Sequence, residues 1–147
     1  MNKLQRITDY LSAHGLNQAT TLDAWIEEGT FEPRAKNEGT GYTILTMAYK
    51  AIVSIERYAH SAHLLAAMVA IWMQEQGEEF DDSMVGFSAD KTDDELFDIE
   101  LEFMLSEDVQ IVRDANGPLI FMGEQYRIES APVWVAEDFT LDADIAN

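Results

Sequence analysis

The sequence contains no cysteine, which removes disulfides, thiolate metal sites and thiol nucleophiles together and suits a chain made in a reducing cytoplasm. Basic residues are also scarce: nine against 28 acids, for a formal net charge of −19. Such a field repels nucleic-acid phosphates and anionic lipid and argues against sequence-specific DNA readout. No apolar run exceeds the ten residues Leu64–Met73, about half of the ~20 that a membrane-crossing helix needs. The opening MNKLQRITDYLSAHG lacks the apolar block of a signal peptide, and the chain has no internal repeat or low-complexity tract. These absences describe a soluble, non-secreted protein. Against them stands a hydrophobic content of 47% over 147 residues, enough for one domain that buries about 68–70% of its unfolded surface.

Periodicity places the elements. Leu4, Ile7 and Leu11 define a helix over Asn2–Ala13, which Gly15 ends. LDAWIEEGTF (22–31) alternates imperfectly and reads as a short strand carrying Trp25 and Ile26, whereas PRAKNEGTG (33–41) is rich in turn formers and reads as a mobile loop. YTILTMAYKAIVSI (42–55) has the β-branched and aromatic content of a long central strand, with Leu45, Met47, Tyr49, Ala51, Val53 and Ile55 on one face. His60–Gln76 comes next as a helix with Leu64, Leu65, Met68, Ile71 and Trp72 on its buried stripe and Gly77 at its end. A strand from Met84 to Ala89 turns through 90–94 into ELFDIELEFMLSEDVQIV, the two forming an antiparallel pair.

In that stretch Phe97, Ile99, Leu101, Phe103 and Leu105 take one face and Asp98, Glu100 and Glu102 the other. Asn116-Gly117 signals a further hairpin, and Pro118 confines the segment after it to a sheet edge or a strand start. The expected fold is α/β in the α+β sense: a mainly antiparallel sheet of about four strands, from Tyr42, Met84, Leu96 and Val109, with two helices on its apolar face. It occupies residues 1–123. Residues 124–147 form an acidic extension with Val133, Trp134, Val135, Phe139 and Leu141 as anchors, which either folds back or serves as an intersubunit arm.

Candidate chemistry is thin. His60 and His63 could face one metal from a helix, but a third ligand is missing, and an ordinary helix start explains them. Asp9, Ser12 and His14 are hydrolase residue types crowded on one helix without a nucleophile elbow, and the Gly39–Gly41 turn precedes a strand, so it cannot aim helix amides at a phosphate. The acids are the strongest signal: 14 of them lie between Glu75 and Asp108, against the single base Lys91. Asp98, Glu100 and Glu102 could be an acid/base or hard-cation site, yet an open strand face offers no pocket to shift a pKa. Successive same-face carboxylates lie about 7 Å apart, where each pair costs only ~0.6 kcal/mol in water. A solvated face is therefore sufficient, although it does not explain why the preceding loop is acidic too.

The order of elements carries a resemblance. The strand 42–55, the Trp72-bearing helix, the Gly86-Phe87 pair and the run Asp98-Ile99-Glu100-Leu101 followed by Leu105, Glu107, Asp108 and Val109 resemble the phage tail completion protein R family of contractile-tailed temperate phages. The resemblance covers Leu4 to Val112. It implies a structural virion protein, similar to tail terminators that cap the tube as a ring, typically hexameric, and make the tail competent for head joining. It implies no enzyme and no cofactor. The expected partners are further copies of the chain, tail tube and sheath proteins and head connector proteins, with no membrane; free subunits can be monomeric. Asp98, Glu100 and Glu102 then become candidates for a lumen that repels DNA, and Arg34, Lys36, Trp134 and Phe139 candidates for subunit or partner contacts. Two other classes stay open: an acidic DNA mimic that inhibits a nucleic-acid-binding partner, and a metal-dependent hydrolase.

Overall fold

The computed structural model describes residues 3–14, 16, 20–80 and 84–129. Gly15, residues 81–83 of the acidic loop, and the anchors Val133, Trp134, Val135, Phe139 and Leu141 lie outside them. The element order is α1 (Lys3–His14), β1 (Thr21–Asn37), β2 (Gly41–Tyr58), α2 (Ala62–Glu75), a single 3-10 turn (Gly77–Phe80), β3 (Val85–Lys91), β4 (Phe97–Arg113), β5 (Leu119–Phe121) and β6 (Glu124–Ile128). The sheet runs β1-β2-β4-β6-β5, with β3 also paired to β4. The chain divides into two compact units, the first comprising Asn2–Phe31 with Met47–Glu107, the second Glu32–Thr46 with Asp108 onward.

The core of the first unit forms where three apolar faces meet. Ile7 and Leu11 of α1 and Leu65, Val69 and Met73 of α2 pack on Tyr49, Ala51, Val53 and Ile55 of β2 and on Ile99, Leu101, Phe103 and Leu105 of β4. Both helices thus lie on one face of the sheet, and the alternating face read from β4 is the buried one. Each such side chain contributes about 1.5–3 kcal/mol when fully buried. Ile52 is also buried, on the opposite face from Tyr49 and Val53. Because β2 is covered on both sides here, its sequence reads as a nearly continuous apolar run.

Local chemistry sets the ends of α2. The Ser61 hydroxyl accepts from the Leu64 N–H at 3.2 Å, capping the first turn, and Gly77, at φ +75°, lets the chain leave the helix. The buried stripe differs from the expected one: Leu65, Val69 and Met73 are buried, whereas Leu64 and Ile71 are 44% and 57% exposed. A helix that is apolar nearly all round carries no phase information. The elements that pack against it choose the face.

Further expectations are corrected. Residues 33–41 are not a loop, for β1 runs to Asn37 and only 38–40 turn, with Glu38 N–H donating to Gly41 O at 2.7 Å. Pro33 is tolerated because β1 lies at the sheet edge, where a missing N–H costs no ladder bond. The sheet has six strands instead of about four, because β1, β5 and β6 join it while the Leu96 and Val109 strands are one. β2 satisfies the polar residues between them: Glu107 accepts from the Tyr49 hydroxyl and Asp108 from Thr46 Oγ1 at 2.6 Å.

Asn116-Gly117 does turn the chain, with Gly117 N–H donating to Asp114 O at 2.9 Å, but β4 pairs with β6 instead of β5. The hairpin closes at Met122-Gly123, whose φ values of +52° and +82° suit a tight two-residue connection. Pro118 stands immediately before β5, an edge strand as expected. Residues Glu124–Ile128, read from sequence as the start of the extension, form β6.

Candidate functional site: the acidic face and the open edges

β4 turns Asp98, Glu100 and Glu102 away from the core, where Asp98 and Glu100 are exposed and Glu102 is half-buried. Directly opposite on β3 stand Asp90, Ser88 and Gly86 respectively, so the Asp90–Asp98 pair sets like charges side by side. Two residues of β2 engage the row and its flank. Asp98 accepts from the Arg57 backbone N–H at 3.0 Å, and the Arg57 guanidinium reaches Asp94 at 3.0 Å. Arg57 holds φ +63°, a conformation unusual for a residue with a side chain and here fixed from both sides by carboxylates. The Thr92 hydroxyl and then Arg57 hold the Asp94 carboxyl below the usual carboxylate range.

Lys50 lies 3.9 Å from Glu102, 3.9 Å from Glu27 and 3.7 Å from Glu28, linking β1, β2 and β4 on the face opposite the core. At such distances each pair is worth about 0–1 kcal/mol. Glu100 makes no ion pair among the described residues. Among the described residues, one of the three acids, Glu102, has a cation beside it, while Asp98 is held by a backbone donor.

The basic candidates are in the second unit. Arg34 Nε donates to Thr46 Oγ1 at 2.6 Å, Thr46 donates to Asp108, and Arg34 also meets Glu32 at 3.1 Å. This relay ties β1, β2 and β4 together and commits much of Arg34 to the sheet. Lys36 is exposed on β1. Trp134 and Phe139 lie outside the described residues.

Other chemistry-bearing groups do not converge. His60 and His63 are both exposed, and His60 packs its ring edge against Tyr58 at 5.7 Å. Asp9 accepts from Gln5 at 2.9 Å and His14 Nδ1 faces Tyr10 O at 3.2 Å, so neither is directed at Ser12. Among the described residues no three His, Asp or Glu side chains gather to hold a metal. Tyr49 is the most perturbed titratable group: burial, then the Glu107 carboxylate beside its hydroxyl, push it well above the ordinary tyrosine value. It lies in the core and serves packing.

A groove of about 440 Å³ runs beside β3, lined by Ala66, Val69 and Met73 of α2 with Phe80, Phe87 and Leu101. None of its lining side chains titrates, so it can accept apolar groups but supplies no acid, base or nucleophile. Sequence reasoning missed the open sheet edges. On β1, Trp25, Ile26 and Phe31 are 39%, 53% and 66% exposed, and every residue from Trp25 to Asn37 is exposed. On β3, Phe87 shares the core face with Leu101 yet is 64% exposed. The β-rich composition of 22–31 signalled a strand, but only the sheet order shows that no described residue pairs with its outer edge.

Comparison with known proteins sets these surfaces in context. No helix among the described residues is long and apolar enough to cross a membrane. No solved structure matches the chain. The chain is similar, at 25% identity over 126 residues, to an uncharacterized 19.2 kDa protein from the rep-hol intergenic region of Haemophilus phage HP1, covering 78% of this chain and 74% of that protein. The family model for P2 phage tail completion protein R (GpR) matches residues 1–130, extending past the Leu4–Val112 span of the sequence resemblance into β5 and β6. The chain belongs to the P2 phage tail completion protein R family, a family of structural tail proteins.

Proposed function

We propose that this protein terminates the tail tube of a contractile-tailed phage as a homo-oligomeric ring and makes the tail competent for head joining. The observation that carries the reading is the family match over residues 1–130, which takes in every described element. The fold supports it: among the described residues the helix-backed sheet keeps open edges that other chains can complete. Tube, sheath and head connector proteins are its partners. A phage bearing a stop codon early in this reading frame is expected to accumulate separate filled heads and unattached tails. Normal virions from that mutant in a non-suppressing host would refute the reading.

In the ring, the face bearing Asp98, Glu100 and Glu102 lines the passage and repels DNA phosphate, so that DNA slides through without adhering. Reversing all three to Lys is expected to spare ring assembly and slow DNA ejection; wild-type ejection by such particles would remove the lumen assignment. No observation favours the DNA mimic, since the Arg57 backbone N–H and the Lys50 ammonium already engage Asp98 and Glu102, two of the three acids that would have to imitate a phosphate row.

A further inference from the structure

In the first unit the strands lie in the order β1-β2-β4-β3, so β1 and β3 are its two margins. Arg57 meets Asp98 and Lys50 meets Glu102, so positions rise along β2 as they fall along β4. β1 and β2 are joined by three residues, and β3 and β4 are antiparallel. Neighbouring strands therefore alternate in direction, and β1 runs opposite to β3.

The open side of β3 can be specified atom by atom. Met104 N–H donates to Met84 O at 3.3 Å, which makes 84 and 104 a hydrogen-bonded pair. With the β3–β4 register, alternation makes 86/102, 88/100 and 90/98 bonded pairs as well. Val85, Phe87, Ala89 and Lys91 consequently turn their N–H and C=O groups away from β4. Among the described residues β3 has no second strand to receive them.

Proteins ordinarily blunt such edges with proline, lysine or arginine. β1 carries Pro33, Arg34 and Lys36 toward its far end; Thr21–Phe31 has no proline and no base, its acids Glu27 and Glu28 lie near Lys50, and it exposes Trp25, Ile26 and Phe31. The β3 margin exposes Phe87 beside the apolar groove.

We propose that β1 of one copy of this chain adds antiparallel to the free edge of β3 in the next copy, its apolar side chains covering Phe87 and the adjoining groove. The inference rests on the ring reading and supplies its subunit contact. A foreign strand would require one open edge; the first unit of this chain carries two unlike edges that run in opposite directions, so the β1 edge of one copy can meet the β3 edge of the next. Such a contact is heterologous and repeats until rotation closes it. The charge of −19 per copy opposes assembly, so association strengthens as salt screens the repulsion.

The absence of native cysteine makes the test direct. Ile26→Cys combined with Phe87→Cys, and Trp25→Cys combined with Phe87→Cys to cover the alternative register, are oxidised in the presence of purified tail tubes. One of the double variants is expected to give a disulfide ladder extending beyond dimers, while each single variant gives none. Ala89→Pro, which removes an outward N–H and leaves the bonds to β4 intact, is expected to abolish the ladder without changing the monomer's melting temperature. A disulfide dimer from any single variant would show like edges meeting and overturn the proposal. So would a link between Phe87→Cys and Trp134→Cys within one chain, which would assign the edge to the chain's own tail. Rings on tubes without a cross-link from either double variant would overturn this contact and leave the ring reading standing; no oligomer and no tube association would remove both.

Discussion

β1 and β2 are neighbours of 17 and 18 residues joined by a three-residue turn, yet they meet opposite environments. β2 buries Tyr49, Ala51, Ile52, Val53 and Ile55 and donates polar contacts to β4. β1 contributes the half-buried Leu22 and Ala24 to the core and leaves everything beyond them exposed. The same local propensity thus serves two ends. One strand is scaffold for this chain, and the other is material for an interface.

The sharpest way to break that contrast uses one substitution at two places. Ile55→Ala in β2 is expected to cost about 2–5 kcal/mol in urea unfolding, whereas Ile26→Ala in β1 should stay within about 0.5 kcal/mol. Equal costs would mean that β1 is part of the monomer's core. Gly41→Ala comes next: an added Cβ would stand 2.0 Å from Ile111 O, so the β2–β4 approach must widen. A loss of about 1–3 kcal/mol is expected, and a neutral result would dispute the closeness of that pairing.

Tyr49 probes the buried contact between β2 and Glu107 of β4. In the unfolded chain it ionises near pH 10, as an ordinary tyrosine does. In the native state burial and Glu107 keep it protonated to higher pH. Its contribution is therefore complete below about pH 10 and is lost as pH rises from there toward the native value, because the unfolded state then binds fewer protons than the native one. Unfolding midpoints from pH 8 to 11 should show the wild type losing stability relative to Tyr49→Phe above pH 10; parallel curves would deny the shift. The smallest effect belongs to Lys50→Met, which removes the cation shared by Glu27, Glu28 and Glu102. It should cost less than about 1 kcal/mol at low salt and shrink at high salt.

These contrasts mark what the sequence could and could not say. β4 was legible because strict alternation of Ile99, Leu101, Phe103 and Leu105 with acids is a two-residue period with one wet face. α1 was legible from Ile7 and Leu11. α2 was recognised as a helix but its phase was not, since ten consecutive apolar residues fit any rotation. β1 was cut short because Pro33, Gly39 and Gly41 are turn formers in isolation, and only its edge position makes the proline harmless. The strands expected at Leu96 and Val109 are one, because Glu107 and Asp108 find partners about 60 residues away on β2. Of the candidate site, the acidic row was visible, but its engagement by Arg57 and Lys50 was not, because cross-strand neighbours depend on register. The open edges were invisible for the same reason.

The central claim is that this chain sits at the end of a tail tube. Negative-stain images of the purified protein mixed with tail tubes test it most directly. The expected result is density of one ring at a single end of each tube, strengthened by added salt and lost in Ala89→Pro. Binding along the tube walls, or tubes with both ends bare at saturating protein, would contradict it.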